Sequence, residues 1–358
     1  MTMHEVAKLA GVSTSTVSRV VRDDPSVAAQ TAAAVKRVVR EVSFRPATRR
    51  SRPRQTRHGA LSGTIGFLVF GASRSSATPG FEMLLRGVSS AANSHGLRLA
   101  LNFLPHNIGD SLFVRGEFDG ILCHGDQPEA PQVDRLREFP TVWLMANRRR
   151  AQWGDQVMPN NAAIGHMAAT YLLGRGHRRL AYLGAGGESW AMRLRSFTFT
   201  KAAQDAGAQV RVLQSAPQAT DYWRFDGLTL QAEQMVQQLL HDDALPTGLF
   251  IEEDRLLPAI DRALHVSGIR ARQGGQLEII ACNNELPHYQ ELAAQPARID
   301  IHPEAIGQRG VEQLLRRMRD GNLERSRVMI EPTLIPPGAN GTTVTFRNTD
   351  KSGIFDAH

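Results

Sequence analysis

Hydrophobic positions follow two different periods along this 358-residue chain. Up to Pro46 they recur at helical spacing: Val6, Leu9 and Ala10, then Val17, Val20 and Val21, then Val27, Thr31, Val35, Val38 and Val42. From Gly63 onward, short β-rich apolar runs alternate with longer amphipathic stretches. GTIGFLVFG, GLRLALNFL, FDGILCHG and FPTVWLMAN read as buried strands, with PGFEMLLRGVSSAANSHG as the helix between the first two. The helix NNAAIGHMAATYLLGRG, the strand RRLAYLGAGG and the helix WAMRLRSFTFTKAAQDAG follow. AQVRVLQ (strand), LTLQAEQMVQQLL (helix), PTGLFIEED (strand), RLLPAIDRALHVSG (helix) and LEIIACNN (strand) complete the alternation. Parallel strands need crossover helices, so this order predicts doubly wound α/β units. Two units in series, near 62–158 and 159–290, predict one bilobed ligand-binding domain over 63–345. The last stretch, RIDIHPEAIGQRGVEQLLRRMRDG and RVMIEPTLIPPG, is expected to give 296–322 to the first lobe and 323–345 to the second, leaving 346–358 as a tail.

The helical front has readable ends. Thr2 and Glu5 make a capping box that starts a first helix, and Gly11 supplies the left-handed backbone that stops it. A second helix starts at Ser13, burying Val17, Val20 and Val21 and leaving Thr14, Ser15, Thr16, Ser18 and Arg19 outward. Pro25 to Phe44 makes a third helix, with Lys36, Arg37 and Arg40 on its wet side. Short hydroxyls and a guanidinium on an exposed helix can hydrogen-bond base edges or phosphates in a major groove. Helix pattern alone fits a plain helical hairpin with a solvated face better, since many αα-hairpins share such a turn.

Charge narrows the choice. Residues 1–58 hold 12 Lys+Arg against 4 Asp+Glu, whereas the remaining residues hold 30 against 31. Positive charge clustered at one end fits a polyanion partner for that segment, because neutralised phosphates release counterions. Residues 47–62 are polar, basic and interrupted by Pro53, which is the composition of a linker. Cys123 and Cys282, far apart and in apolar contexts, predict reduced core thiols and no disulfide framework. With no basic-apolar leader before the front and no apolar run long enough to span a bilayer, the expected location is the cytoplasm, without membrane contact.

No catalytic, metal or cofactor site is expected. Cys123 beside His124, and Glu253 beside Asp254, lack partners at a spacing that implies a triad, metal ligation or paired carboxylates. GAGG at 184–187 follows a strand but lacks the G-x-G-x-x-G spacing of a dinucleotide site.

The run VAKLAGVSTSTVSRVV, followed by DDPSVAAQTAAAVKRVVREVSFRP, resembles the DNA-binding headpiece of the lactose/galactose-repressor family. The matching elements are Val12-Ser13 opening the recognition helix, Thr16 to Val20 within it, Val27 to Thr31 before the third helix, and the closing Phe44-Arg45-Pro46. GTIGFLV, DGILCHG, NNAAIG, GRGHRRLAYLG, IGQRGVEQLL and IEPTLI extend the resemblance through the body with less exact motifs. It implies an α/β protein with an all-α helix-turn-helix headpiece at 1–46. A two-lobed effector domain follows, in the fold of periplasmic sugar-binding proteins.

By the same resemblance, a homodimer reads pseudo-palindromic double-stranded DNA. Ser13, Thr14, Ser15, Thr16, Ser18, Arg19 and Arg22 would serve the major groove. Relatives wedge a hinge-helix leucine into the minor groove, but Pro53 stands near that position and is poorly suited to a helix interior. An arginine arm of Arg49, Arg50, Arg52, Arg54 and Arg57 tracking a narrow minor groove is the reading for this chain.

A small carbohydrate-like effector is expected at the carboxyl ends of the strands, between the lobes. The strand pattern places Phe81, Asn147, Trp190, Arg195, Trp223, Glu253, Asp254 and Asn283 there. Arg195 matches the effector-contacting arginine of the family's A-x-R-x-R. Asn283 stands where relatives usually have aspartate and Glu253 where they usually have asparagine, so these two contacts differ in type from the family's usual ones. The function implied is an effector-controlled repressor. A regulator needing a nucleobase-type co-repressor is one alternative, and a ligand-independent architectural DNA binder is another. Without heptads after Gly338, dimers are expected and no helical tetramerisation module.

Overall fold

The computed structural model describes residues 3–21, 27–41, 62–70, 78–104, 118–125, 134–145, 153–184, 189–214, 225–241, 244–271, 274–275, 277–290, 292, 294–321 and 323–338. Two compact units divide at Gly59 and Ala60.

The first unit holds helices α1 (Met3–Ala10), α2 (Thr14–Val21) and α3 (Ala29–Glu41). Ala7, Val17, Val20, Val35 and Val38 form its buried centre, with Ala10, Val12, Val27, Ala32 and Val39 packed around them. Two expectations are corrected. Leu9 is 60 % exposed and Ala7 takes the inward position, because the helix turns its small-residue side to α2 and α3. The third helix starts at Ala29, where the Ala28 carbonyl accepts from Ala32 N–H at 2.9 Å, so Val27 and Ala28 precede it.

The second unit is built on two six-stranded sheets. The first contains β1 (Thr64–Phe70), β2 (Arg98–Leu104), β3 (Gly120–Gly125), β4 (Thr141–Leu144), β5 (Asp155–Pro159) and β11 (Arg327–Ile330), in the order β11-β5-β4-β3-β1-β2 and parallel throughout. α4 (Pro79–Ser94) and α9 (Pro303–Arg319) cover one face, where Phe67, Val69, Leu84, Val88, Ile306 and Leu314 are buried together. Trp143 and Trp153 pack with Leu68 and Phe70 on the other face.

The second sheet contains β6 (Arg179–Gly184), β7 (Gln209–Gln214), β8 (Gly248–Ile251), β9 (Glu278–Asn283), β10 (Ala297–Asp300) and β12 (Thr333–Ile335), ordered β12-β10-β9-β8-β6-β7. Only the β10–β12 pair is antiparallel. α5 (Asn161–Gly174) and α6 (Trp190–Asp205) lie on one face, where Tyr182, Phe199 and Phe250 are buried together. α7 (Phe225–Leu240) and α8 (Leu257–Val266) lie on the other, where Leu249, Ile251 and Ile260 are buried together. Cys123 in β3 and Cys282 in β9 are buried free thiols, and burial pushes Cys282 up to about 12.

Strand β5 escaped the sequence pattern because its first residue is charged. Asp155 is fully buried and is held by Arg317 Nε and Gln313 Nε2, each at 2.7 Å, and by Ser326 N at 2.9 Å. Residues expected on the first lobe at 297–300 pair instead in the second sheet as β10, and 327–330, expected on the second lobe, join the first sheet as β11. The chain therefore crosses between sheets at 159–161, 300–303 and 330–333. The crossings are tied to one another. Asn160 N donates to Ile330 O at 2.8 Å, Asn160 Nδ2 donates to Glu331 Oε1 at 2.8 Å, and His302 Nε2 lies 2.7 Å from Thr333 Oγ1.

Candidate functional site

Two places carry polar groups in arrangements that plain packing does not require. The first is the turn into α2. Gly11 adopts a φ of 64°, and the Val12 N–H returns to the Ala7 carbonyl at 3.0 Å while Gly11 N–H returns to Lys8 at 3.4 Å. This paired closure ends α1 and starts the sharp turn. Ser13 then caps α2, its Oγ accepting from Thr16 N at 3.1 Å.

Thr16 is half-buried, and its hydroxyl lies 2.9 Å from Ser13 Oγ, so this hydroxyl pair is engaged at the cap. Thr14 and Arg19 are exposed, on the side opposite Val17 and Val20. The side chains of Ser15 and Ser18, and Arg22, Arg49, Arg50, Arg52, Arg54 and Arg57 entirely, lie outside the described residues.

The second place is at the carboxyl ends of the second-lobe strands. Arg195, in the second turn of α6, is only 2 % exposed. Its Nε donates to Asn161 Oδ1 at 2.8 Å, and its Nη1 donates to the Glu252 carbonyl at 2.8 Å and to Asn283 Oδ1 at 3.3 Å. Gly165 lets α5 pack directly on this turn, since a Cβ there would collide with the Arg195 carbonyl and the Thr198 hydroxyl. Glu252 is buried beside Tyr182, whose hydroxyl is 2.6 Å from Glu252 Oε2. Burial, reinforced by that carboxylate, raises the Tyr182 phenol well above its ordinary range. Asn283 closes β9 in a left-handed conformation, φ 115°.

The other expected ligand residues separate. Glu253 is half-buried and holds Arg255, Nε to Oε2 at 2.6 Å. Trp190 opens α6 and is 38 % exposed. Asp254 is fully buried, its oxygens taken by Tyr289 Oη at 2.5 Å and Glu285 N at 2.6 Å, and burial raises its carboxyl well above the usual range. Phe81 sits in the first-lobe core, 6 % exposed, its ring centred 5.5 Å from that of His124 and 6.0 Å from that of Phe67. Both side chains are thus taken up by contacts within the chain. Asn147 and Trp223 lie outside the described residues. Asn161, Tyr182 and Glu252 were missed. The doubled asparagine after β5 was the one available signal, since Asn160 serves as the cap of α5 and leaves Asn161 to turn inward.

Among the described residues no cluster of His, Cys, Asp and Glu could hold a metal ion, and no helix is long and apolar enough to cross a membrane.

Comparison with known proteins gives a consistent result. Residues 2–47 match the model for bacterial regulatory proteins of the lacI family, and residues 169–338 match that for a periplasmic binding protein-like domain. The ribose operon repressor of Escherichia coli (strain K12) is 26 % identical over 349 residues, covering 94 % of this chain and 99 % of its own. The solved structure of a transcriptional regulator CelR–cellobiose complex shares the fold at a TM-score of 0.64, 20 % identity and coverage of 94 % and 99 %. That of the lac repressor dimer bound to operator and the anti-inducer ONPF gives 0.62, 18 %, 94 % and 98 %. The helix-turn-helix front, the two parallel-rich sheets and the end-to-end match together give the chain a lacI-family DNA-binding front and a periplasmic binding protein-like body, the organisation of its repressor relatives.

Proposed function

We propose that this protein is a cytoplasmic, homodimeric repressor that reads a pseudo-palindromic operator and is controlled by a small carbohydrate-like effector held between its lobes. The observation that carries the reading is a capped α2 with Thr14 and Arg19 exposed, in a segment that bears the chain's whole positive excess. Ser13, Thr14, Ser15, Thr16, Ser18, Arg19 and Arg22 serve the major groove, and the 47–62 arm with Arg49, Arg50, Arg52 and Arg54 serves phosphates or the minor groove.

On the effector side, Arg195 and Asn283 offer hydrogen bonds to hydroxyls, and the half-open Trp190 offers a ring to the apolar face of a sugar. Asn147, Trp223 and Glu253 complete the assigned crevice. The ribose operon repressor among the relatives supports a sugar, and the equally similar HTH-type transcriptional repressor PurR makes a co-repressor mode the second reading. The protein performs no chemistry of its own; ligand binding changes lobe spacing and with it the grip on DNA, a coupling that is reciprocal.

Selection of duplexes from a random pool tests this, followed by titration of the selected duplex in the presence of D-ribose, cellobiose and other mono- and oligosaccharides. A recurrent inverted repeat, released by one of the sugars, is the expected result. Equal affinity for every duplex, unmoved by any sugar, would overturn the proposal in favour of an architectural binder.

A further inference from the structure

Glu285 reaches from the second lobe to the first. It lies between β9 and β10, yet its Oε1 accepts from the backbone N–H of Gly80, 3.2 Å away in the first turn of α4. Its other oxygen is 3.2 Å from His288 Nε2, and the residue is 7 % exposed. The carboxylate therefore meets the positive end of a 16-residue helix, where free N–H groups and the peptide dipoles favour an anion. Gly80 makes the approach possible, since a Cβ there would stand 2.5 Å from Glu285 Oε1.

The residues just before Glu285 lead to the effector side. Asn283 accepts from Arg195, and Asn284 Nδ2 donates to Asp300 Oδ2 at 3.0 Å, where the chain leaves β10 for the first lobe. Both asparagines have positive φ, 115° and 62°, a sparsely populated backbone for residues that carry a Cβ. The Glu285 N–H is itself fixed by Asp254 Oδ2 at 2.6 Å. Three consecutive residues thus touch the buried guanidinium, a crossing between the lobes and the opposite lobe.

The geometry points to Glu285 as an inter-lobe clasp, through which displacement of Arg195 or Asn283 releases the amino end of α4 and alters the lobe spacing that sets operator affinity. This rests on the regulator reading above. In a repressor released by its ligand, the arrangement held by the chain's own groups is the operator-binding one. The clasp consists entirely of such groups, so losing it weakens operator binding without any ligand.

The test uses the full chain and the duplex that it selects, comparing wild type, Glu285→Ala, Gly80→Ala and the double variant. Both single variants should raise hydrogen exchange at the first-turn amides of α4 and weaken operator binding by about fivefold to tenfold. The double variant should be no worse than the worse single one, because both break the same hydrogen bond. Glu285→Gln, which keeps an acceptor and loses the charge, should fall between wild type and Glu285→Ala. Wild-type exchange in α4 of Glu285→Ala, or additive effects in the double variant, would overturn the clasp. A wild-type protein without duplex preference would instead overturn the regulator reading, and exchange at α4 alone would then decide the clasp.

Discussion

Asn161 and Arg195 sit on different helices and are joined by a 2.8 Å hydrogen bond from the guanidinium Nε to the side-chain carbonyl of the asparagine. Both are nearly buried, 5 % and 2 % exposed, so the bond forms where water does not compete freely. It fixes the plane of the guanidinium while Nη1 reaches the carboxyl ends of two neighbouring strands. The cation proposed to meet the effector is therefore positioned before any ligand arrives.

Asn161→Ala removes the acceptor and leaves a buried N–H unpaired. A loss of about 1–3 kcal/mol is expected, measured as a lower urea midpoint with unchanged slope. Sugar-induced operator release should weaken in the same variant, since the guanidinium is no longer oriented.

Gly165→Ala should separate α5 from α6. The added methyl meets the Arg195 carbonyl and the Thr198 hydroxyl, and overpacking of this kind costs about 1–3 kcal/mol. Thermal melts should show the loss, and sugar response should fall although residue 165 is proposed to touch no ligand. A variant as stable and responsive as wild type would mean that the helices can part freely.

Asp155 predicts an acid limb in stability. Burial pushes its carboxyl up, but the bonds from Arg317, Gln313 and Ser326 outweigh this and hold it below the usual 3.8. A carboxyl depressed by folding contributes stability above about pH 4, and that contribution disappears as pH falls through the folded-state value. Glu278 acts in the same direction, held below 4.5 by Arg175, Tyr171 and His177 against the opposing effect of burial. Asp155→Asn should be less stable near neutrality and show a flatter decline on acidification, read from urea midpoints at stepped pH.

Thr14→Ala and Ser15→Ala should relax discrimination at one or two operator positions, by about 1–3 kcal/mol for each base-reading hydrogen bond that the substitution removes. Neutralising Arg49, Arg50, Arg52 or Arg54 should leave base preference intact and lower the salt slope by about 0.9 for each phosphate no longer neutralised. The opposite partition, with hydroxyl variants changing only the salt slope, would reverse the two assignments.

Alternating apolar runs made the sheets and helices legible, because buried parallel strands leave a continuous apolar trace. They failed at β5, where a buried aspartate neutralised by Arg317 looks like a loop residue. They also failed over the last strands, since local pattern does not say which sheet a strand joins. Arg195 could be picked out by motif and Asn283 by its place after a strand, but not Asn161, whose bond to Arg195 depends on how closely α5 approaches α6. Asp254 and Phe81 are buried against other residues of the chain, and backbone position does not reveal which way a side chain turns. Leu9 shows the same limit on a helix, where alanine and leucine compete for one inward place.

The three crossings between the sheets, bound to each other through Asn160, Ile330, Glu331, His302 and Thr333, have a practical consequence. Neither lobe is a continuous length of sequence, so neither can be excised or exchanged with a relative's at a single junction. A chimaera built to change sugar preference must be spliced at all three passages and must carry both partners of each tie, or the transplanted half will have nothing to pivot on.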